Sequence, residues 1–218
     1  MSLASHIDRR RLPPGTHGID PADVVRSQRI RMFYAMAEVI AEKGYAATSV
    51  AAVVARAQVS RRTFYEQFRS REECFAAAFE YAVDTVTVMM ADSVADTPRQ
   101  DWRALLRTTL RTYLGALVQE SLIARVLHVE CLAVDFAVAE QRRDMKTRLA
   151  QRMQAVFAIG RDTGDIPSDI PAAAFELLIG GIDDRIRDCI QFQGPDALAE
   201  LDDEFYRTTV ALFGVPEW

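Results

Sequence analysis

Between Thr48 and Glu73 the chain reads T-S-V-A-A-V-V-A-R-A-Q-V-S-R-R-T-F-Y-E-Q-F-R-S-R-E-E. Val50, Val53, Val54 and Ala57 recur at i, i+3, i+4 and i+7, the spacing of one helix face. Thr48 or Ser49 stands ahead of them as a cap, because a side-chain oxygen there accepts from an otherwise free N–H of the first turn. Gln58-Val59-Ser60 interrupts the pattern, and Ser60 caps a second short helix ending near Phe68. Ser70 then caps a third, long one from Arg71 to about Asp92. Two short capped helices so close in sequence must pack across a tight turn, which is the layout of a helix-turn-helix.

The rest of the chain also follows helical spacing. A helix from about Asp23, its cap, to Lys43 carries Ile30, Phe33, Tyr34, Ala37, Ile40 and Ala41, and Gly44 stops it. Thr97-Pro98 breaks the chain after the long helix. Beyond it the pattern predicts helices over 99–119, 136–162, 171–193 and 196–213, with a dense apolar stretch at 122–134. Strand-like alternation is absent, so the expected class is all-α. The division is a basic arm over 1–23, a three-helix helix-turn-helix domain over 24–75, and a helical domain over 76–218. The arm contains Arg9, Arg10 and Arg11.

The net charge of −5 divides unevenly. Residues 1–75 carry 12 Arg/Lys against 8 Asp/Glu, and residues 76–218 carry 14 against 23. A basic front on an acidic body orients a molecule toward a polyanion. The three cysteines are widely spaced and odd in number, which fits a reducing cytoplasm better than a disulfide framework. No run of about 20 apolar residues predicts a membrane span. There is no Gly-rich phosphate loop, G-x-S-x-G or H-E-x-x-H, so no catalytic residue is expected and an enzyme is a remote alternative.

The second short helix opens on Ser60, Arg61, Arg62 and Thr63, the end a docking helix presents to a major groove. Arginine grips guanine bidentately, and a Thr methyl meets a thymine methyl. Tyr65 can lay its hydroxyl on a phosphate, and Thr48 and Ser49 stand at the start of the supporting helix. Arg71 lies in a first helical turn, where the dipole disfavours a cation, so a phosphate is its expected partner. Phe64 should point inward with Val59.

These residues resemble the DNA-binding domain of the tetracycline-repressor (TetR) family of bacterial regulators. Its pattern is matched by Ala57-Gln58-Val59-Ser60, by Thr63-Phe64-Tyr65-Glu66-Gln67-Phe68 and by Ser70-Arg71-Glu72, over about residues 27–80. Gln58 replaces the usual turn glycine, and Arg71 the usual lysine. The resemblance implies a homodimer on a near-palindromic operator in double-stranded DNA. It usually represses, and a small molecule in the C-terminal domain releases it. An activator, or a response to a protein partner, is the alternative.

Effector sites are mostly apolar with few polar anchors. The middle helices offer Trp102, Tyr113, His128, Cys131, Phe136, Met153, Phe157 and Phe175 for it. His128 and Cys131 have i, i+3 spacing, yet no further ligand follows, so neither a metal nor a cofactor is expected. Phe175, Ile179, Ile182 and Ile186 line one face of the penultimate helix, and Leu198, Leu201, Phe205 and Leu212 one face of the last. Paired with a second copy, those faces form a four-helix dimer interface. Asp183-Asp184 and Asp202-Asp203-Glu204 then read as solvated rims.

Overall fold

The structure, a computed structural model, describes residues 20–134, 136–167 and 169–215. The triplet Arg9-Arg10-Arg11 lies outside them. Helix α1 (Pro21–Lys43) starts three residues earlier than Asp23 predicts. Asp20 is the cap, its carboxylate accepting from Ala22 N–H at 2.9 Å. Pro21 has no N–H to leave unmet at the first helical position. From Ile30 to Ile40 the helix is buried on nearly every side, while Ala41 is exposed.

Helix α2 (Val50–Ala57) packs on α1, α3 (Arg61–Tyr65) packs on α2, and α4 (Arg71–Ser93), packed on α1, closes the unit. Helix α4 is long and apolar enough to cross a membrane by length and composition. It packs Phe75, Ala78, Phe79, Ala82 and Val86 into the protein core.

Asp101 caps α5 (Trp102–Gln119), accepting from Ala104 N–H at 2.9 Å. The apolar stretch at 122–134 resolves into α6 (Ser121–His128) and a 3-10 turn, Glu130–Ala133. Helix α7 (Phe136–Asp162) and helix α8 (Ala172–Phe192) follow the predicted bounds closely. The last predicted helix is divided instead. With Gly194 at φ 96° and no side-chain cap, Pro195–Glu200 winds as a 3-10 turn that buries Leu198, before α9 (Leu201–Leu212). Helix α6 packs on both α1 and α8, so it joins the N-terminal unit to the C-terminal bundle.

The turn between α2 and α3 holds a local strain. Gln58 has φ 54° and ψ 45°, the left-handed conformation that the missing glycine would have adopted freely. A side chain costs ~1–2 kcal/mol there, partly offset by the lower chain entropy of a non-glycine residue. Gln58→Gly should therefore stabilise the protein by about 0.5–1 kcal/mol. A urea titration checks it, and a lowered midpoint would mean that the glutamine side chain contributes more than its backbone costs.

Candidate nucleic-acid interface and effector cavity

The helix-turn-helix is fixed by its caps. Ser49 Oγ accepts from Ala52 N–H at 3.2 Å, and Ser60 Oγ accepts from Thr63 N–H at 2.9 Å. The Ser60 and Thr63 hydroxyls are also 2.8 Å apart. Phe64 is fully buried against Phe68 and edge-on to Tyr65. That anchor turns the opposite face outward, leaving Ser60, Arg61, Arg62 and Tyr65 exposed. Arg62 donates to Glu66 at 2.8 Å while its side chain remains 88% exposed, a surface pair weak enough to exchange for DNA. Thr63 is half-buried.

Two predicted contacts have other occupations. Thr48 is buried, and its hydroxyl donates to the Gly44 carbonyl at 2.9 Å, closing the loop between α1 and α2. Arg71 turns inward. It donates to the carbonyls of Tyr45 (3.2 Å) and Thr48 (2.7 Å), and twice to the Glu72 carboxylate. Its guanidinium also stacks 4.4 Å from the Tyr45 ring centre. Burial and Glu72 push the Tyr45 hydroxyl up to about 12. A guanidinium has five N–H donors, so these four bonds leave at most one for a phosphate. Glu72 answers the dipole objection to a cation at that position from within the chain.

Arg71→Ala should thus destabilise the fold by about 1–3 kcal/mol, because it strips charged donors from part-buried carbonyls. Arg62→Ala should change stability by no more than about 0.5 kcal/mol. Thermal unfolding of the two variants side by side separates a staple from a surface group.

In the C-terminal bundle, α4, α5, α7 and α8 enclose a largely apolar cavity of about 290 Å³. Of the predicted effector residues, Tyr113, His128 and Met153 line it. Trp102, Phe157 and Phe175 do not. They cluster around Phe213, with ring centres 5.1–6.3 Å apart, as ordinary core. Cys131 is buried and bonded to the Leu127 carbonyl outside the lining, and burial pushes its thiol up to about 11. Phe136 opens α7, and its side chain lies outside the described atoms. Among the described residues no three His, Cys, Asp or Glu groups are placed to hold a metal.

The predicted dimer faces are occupied within the chain. Phe175, Ile179, Ile182, Ile186, Leu198, Leu201 and Phe205 are all at most 9% exposed, and Leu212 is half-buried. Ile179, Ile182 and Ile186 in fact line the cavity. An amphipathic stripe reports that a face is buried, not which chain buries it. The outward face of α8 instead carries Leu177 (77% exposed) and Phe192 (82% exposed), with Gly181 between them.

Asp183 departs furthest from its expected place on a solvated rim. It is 5% exposed and accepts from His128 Nδ1 at 3.0 Å, and Arg142 donates to its other oxygen. His128 Nε2 meets the Tyr113 hydroxyl at 3.0 Å. Burial would raise the Asp183 pKa. The His128 hydrogen bond and the His128, Arg142 and Lys146 charges outweigh it and hold the carboxyl below its usual range. Asp184 is exposed, as expected. The signal for Asp183 was available, because it interrupts the apolar stripe of Ile179, Ile182 and Ile186. Arg142 and Lys146 carried a weaker one. They share a face of α7 with Leu149, Met153 and Val156, at spacings of 4, 3, 4 and 3.

Residues 35–78 match the family model of bacterial regulatory proteins of the tetR family. No curated protein matches the sequence. Similar solved structures include the fatty acid degradation regulator FadR from Bacillus halodurans, at 16% identity and TM-score 0.73, over 84% of this chain and 94% of that one. FadR from Bacillus subtilis, solved in complex with stearoyl-CoA, is 19% identical with TM-score 0.70, over 84% and 97%. The TetR-family transcriptional regulator PfmR from Thermus thermophilus is 16% identical with TM-score 0.67, over 87% and 97%. At such identities the likeness concerns the fold.

Proposed function

We propose that this chain, whose N-terminal domain belongs to the TetR family of bacterial regulatory proteins, is a cytoplasmic, homodimeric repressor released from DNA by a small effector. The observation that carries the reading is the outward face of α3. A capped helix start presents Arg61 and Arg62 to solvent while Phe64 anchors the other side. Arg61, Arg62 and Thr63 read base edges, Ser49, Ser60 and Tyr65 touch the backbone, and Thr48 and Arg71 hold the reader in shape. Two copies of α3 must lie about one DNA turn apart, ~34–36 Å, to enter successive major grooves.

The cavity is the effector site. That the similar FadR from Bacillus subtilis was solved in complex with stearoyl-CoA supports a ligand for this chain, and the cavity is the space that would hold it. Its effect reaches DNA through α6, which contributes His128 to the cavity wall and packs on α1. A ligand that favours one placement of α6 shifts the dimer toward a different spacing of its two readers. The release it produces is limited by its differential affinity for the two states.

The copies meet through the outer face of α8, where Leu177, Gly181 and Phe192 lie on one side. Leu177→Glu or Phe192→Glu should give monomers by light scattering without loss of helicity. A persistent dimer in both variants would place the interface elsewhere.

For the function itself, the decisive comparison is binding of wild type and Arg62→Ala to duplex DNA adjoining the protein's own gene. The variant should bind ~1–3 kcal/mol more weakly and with relaxed sequence preference. Equal binding of the two would remove α3 from its role as reader.

A further inference from the structure

The cavity has a pole. Tyr113, His128 and Asp183 meet at one end of it, with Arg142 behind Asp183 and Lys146 in the lining. Along α7 the wall then turns apolar at Leu149, Met153 and Val156. Charge at the polar end does not balance. Arg142 neutralises Asp183, and Lys146 makes no ion pair with any described residue. Lys146 is half-buried and lines an otherwise apolar cavity, so an anion entering that cavity finds in it a positive partner. Arg152, exposed on α7, adds a second cation to the lining.

Resting on the reading of this cavity as the effector site, we infer that its ligand is a single-tailed amphiphile with an anionic head, held by Lys146 beside the Tyr113–His128–Asp183 cluster. The tail lies against Leu105, Leu149, Met153 and Val156. The size of the space guides the choice of probe length. At about 30 Å³ per water-sized group, 290 Å³ accepts on the order of ten such groups. A carboxylate and a phosphate head share the required charge.

Calorimetric titration of the full-length protein, without DNA, tests this with decanoate, decyl phosphate and 1-decanol. Decanoate or decyl phosphate should bind about tenfold or more tightly than 1-decanol, the factor expected of a charge-assisted hydrogen bond. The tighter of the two identifies the head group. Lys146→Gln should abolish that preference while leaving 1-decanol binding within about twofold, and Lys146→Arg should keep it. Thermal unfolding of the free variants verifies that the fold is intact. Failure of all three probes to bind, or an anion preference that survives Lys146→Gln, overturns the inference. The second outcome would mean that the lysine only lays its stem along the apolar wall. DNA binding, measured separately, keeps the two claims apart. Protein that binds DNA and none of the probes refutes the ligand class alone. Protein that binds decanoate and no DNA refutes the regulator.

Discussion

Asp183→Ala is expected to destabilise the protein by about 3–5 kcal/mol, because it leaves a largely desolvated arginine with no counter-charge. The Arg142 side chain is 13% exposed, and the carboxylate it faces also receives the His128 N–H. Removing one partner exposes the full cost of a desolvated charge, which is larger than the net worth of the pair. Double replacement of Asp183 and Arg142 by apolar residues should therefore be less damaging than Asp183→Ala alone. Asp184→Ala, one residue away on the exposed side, should stay within about 0.5 kcal/mol. Urea midpoints of the three proteins give the comparison. Equal losses at Asp183 and Asp184 would mean that the buried network contributes nothing.

The same network fixes a pH dependence. The Asp183 pKa is lowered in the folded state relative to its ordinary 3.8. Its contribution is therefore fully present above that ordinary value and is lost as pH falls through the depressed folded value. Acid unfolding of the wild type should accordingly show a stability loss below about pH 4 that Asp183→Asn lacks.

Phe64→Ala should lower stability by about 3–5 kcal/mol and abolish specific DNA binding with it. Phe64 is fully buried, with ring centres of Phe68 and Tyr65 at 5.5 and 5.4 Å. Helix α3 has five residues, too few to be helical without tertiary support. Loss of the anchor releases the presentation of Arg61 and Arg62 as well as the core. Tyr65→Ala separates the two effects. The residue is 52% exposed, so stability should change little while DNA affinity falls. Circular-dichroism melts and electrophoretic band shifts on both variants report each quantity. Unchanged DNA binding in a folded Phe64→Ala protein would show that α3 is positioned by something else.

Local patterns were legible where local physics decides. Ser49, Ser60 and Ser70 cap the helices the sequence assigns them, since a cap depends on a few neighbouring atoms. The span of α7 follows from its flanking signals, Asp162-Thr163-Gly164 among them. Even the left-handed Gln58 is readable as a departure from a turn that prefers glycine. What periodicity does not contain is the identity of the partner surface. Ile182 and Phe205 belong to stripes that look the same whether a second chain or α5 and α7 cover them. Asp183 and Asp184 are neighbours in sequence, yet a 100° step around the helix sends one inside and the other out. The bonds of Arg71 within the chain were not legible because its partners, Tyr45 and Thr48, lie 26 and 23 residues earlier.

The central claim is that the outward face of α3 docks on duplex DNA. Its most direct test is the salt dependence of binding to the duplex adjoining the gene, by fluorescence anisotropy from 50 to 200 mM salt. Binding through ~6–10 phosphate contacts should weaken by about 10³–10⁵ across that range. Affinity for that duplex that is absent at 50 mM, or flat with salt, would contradict the account.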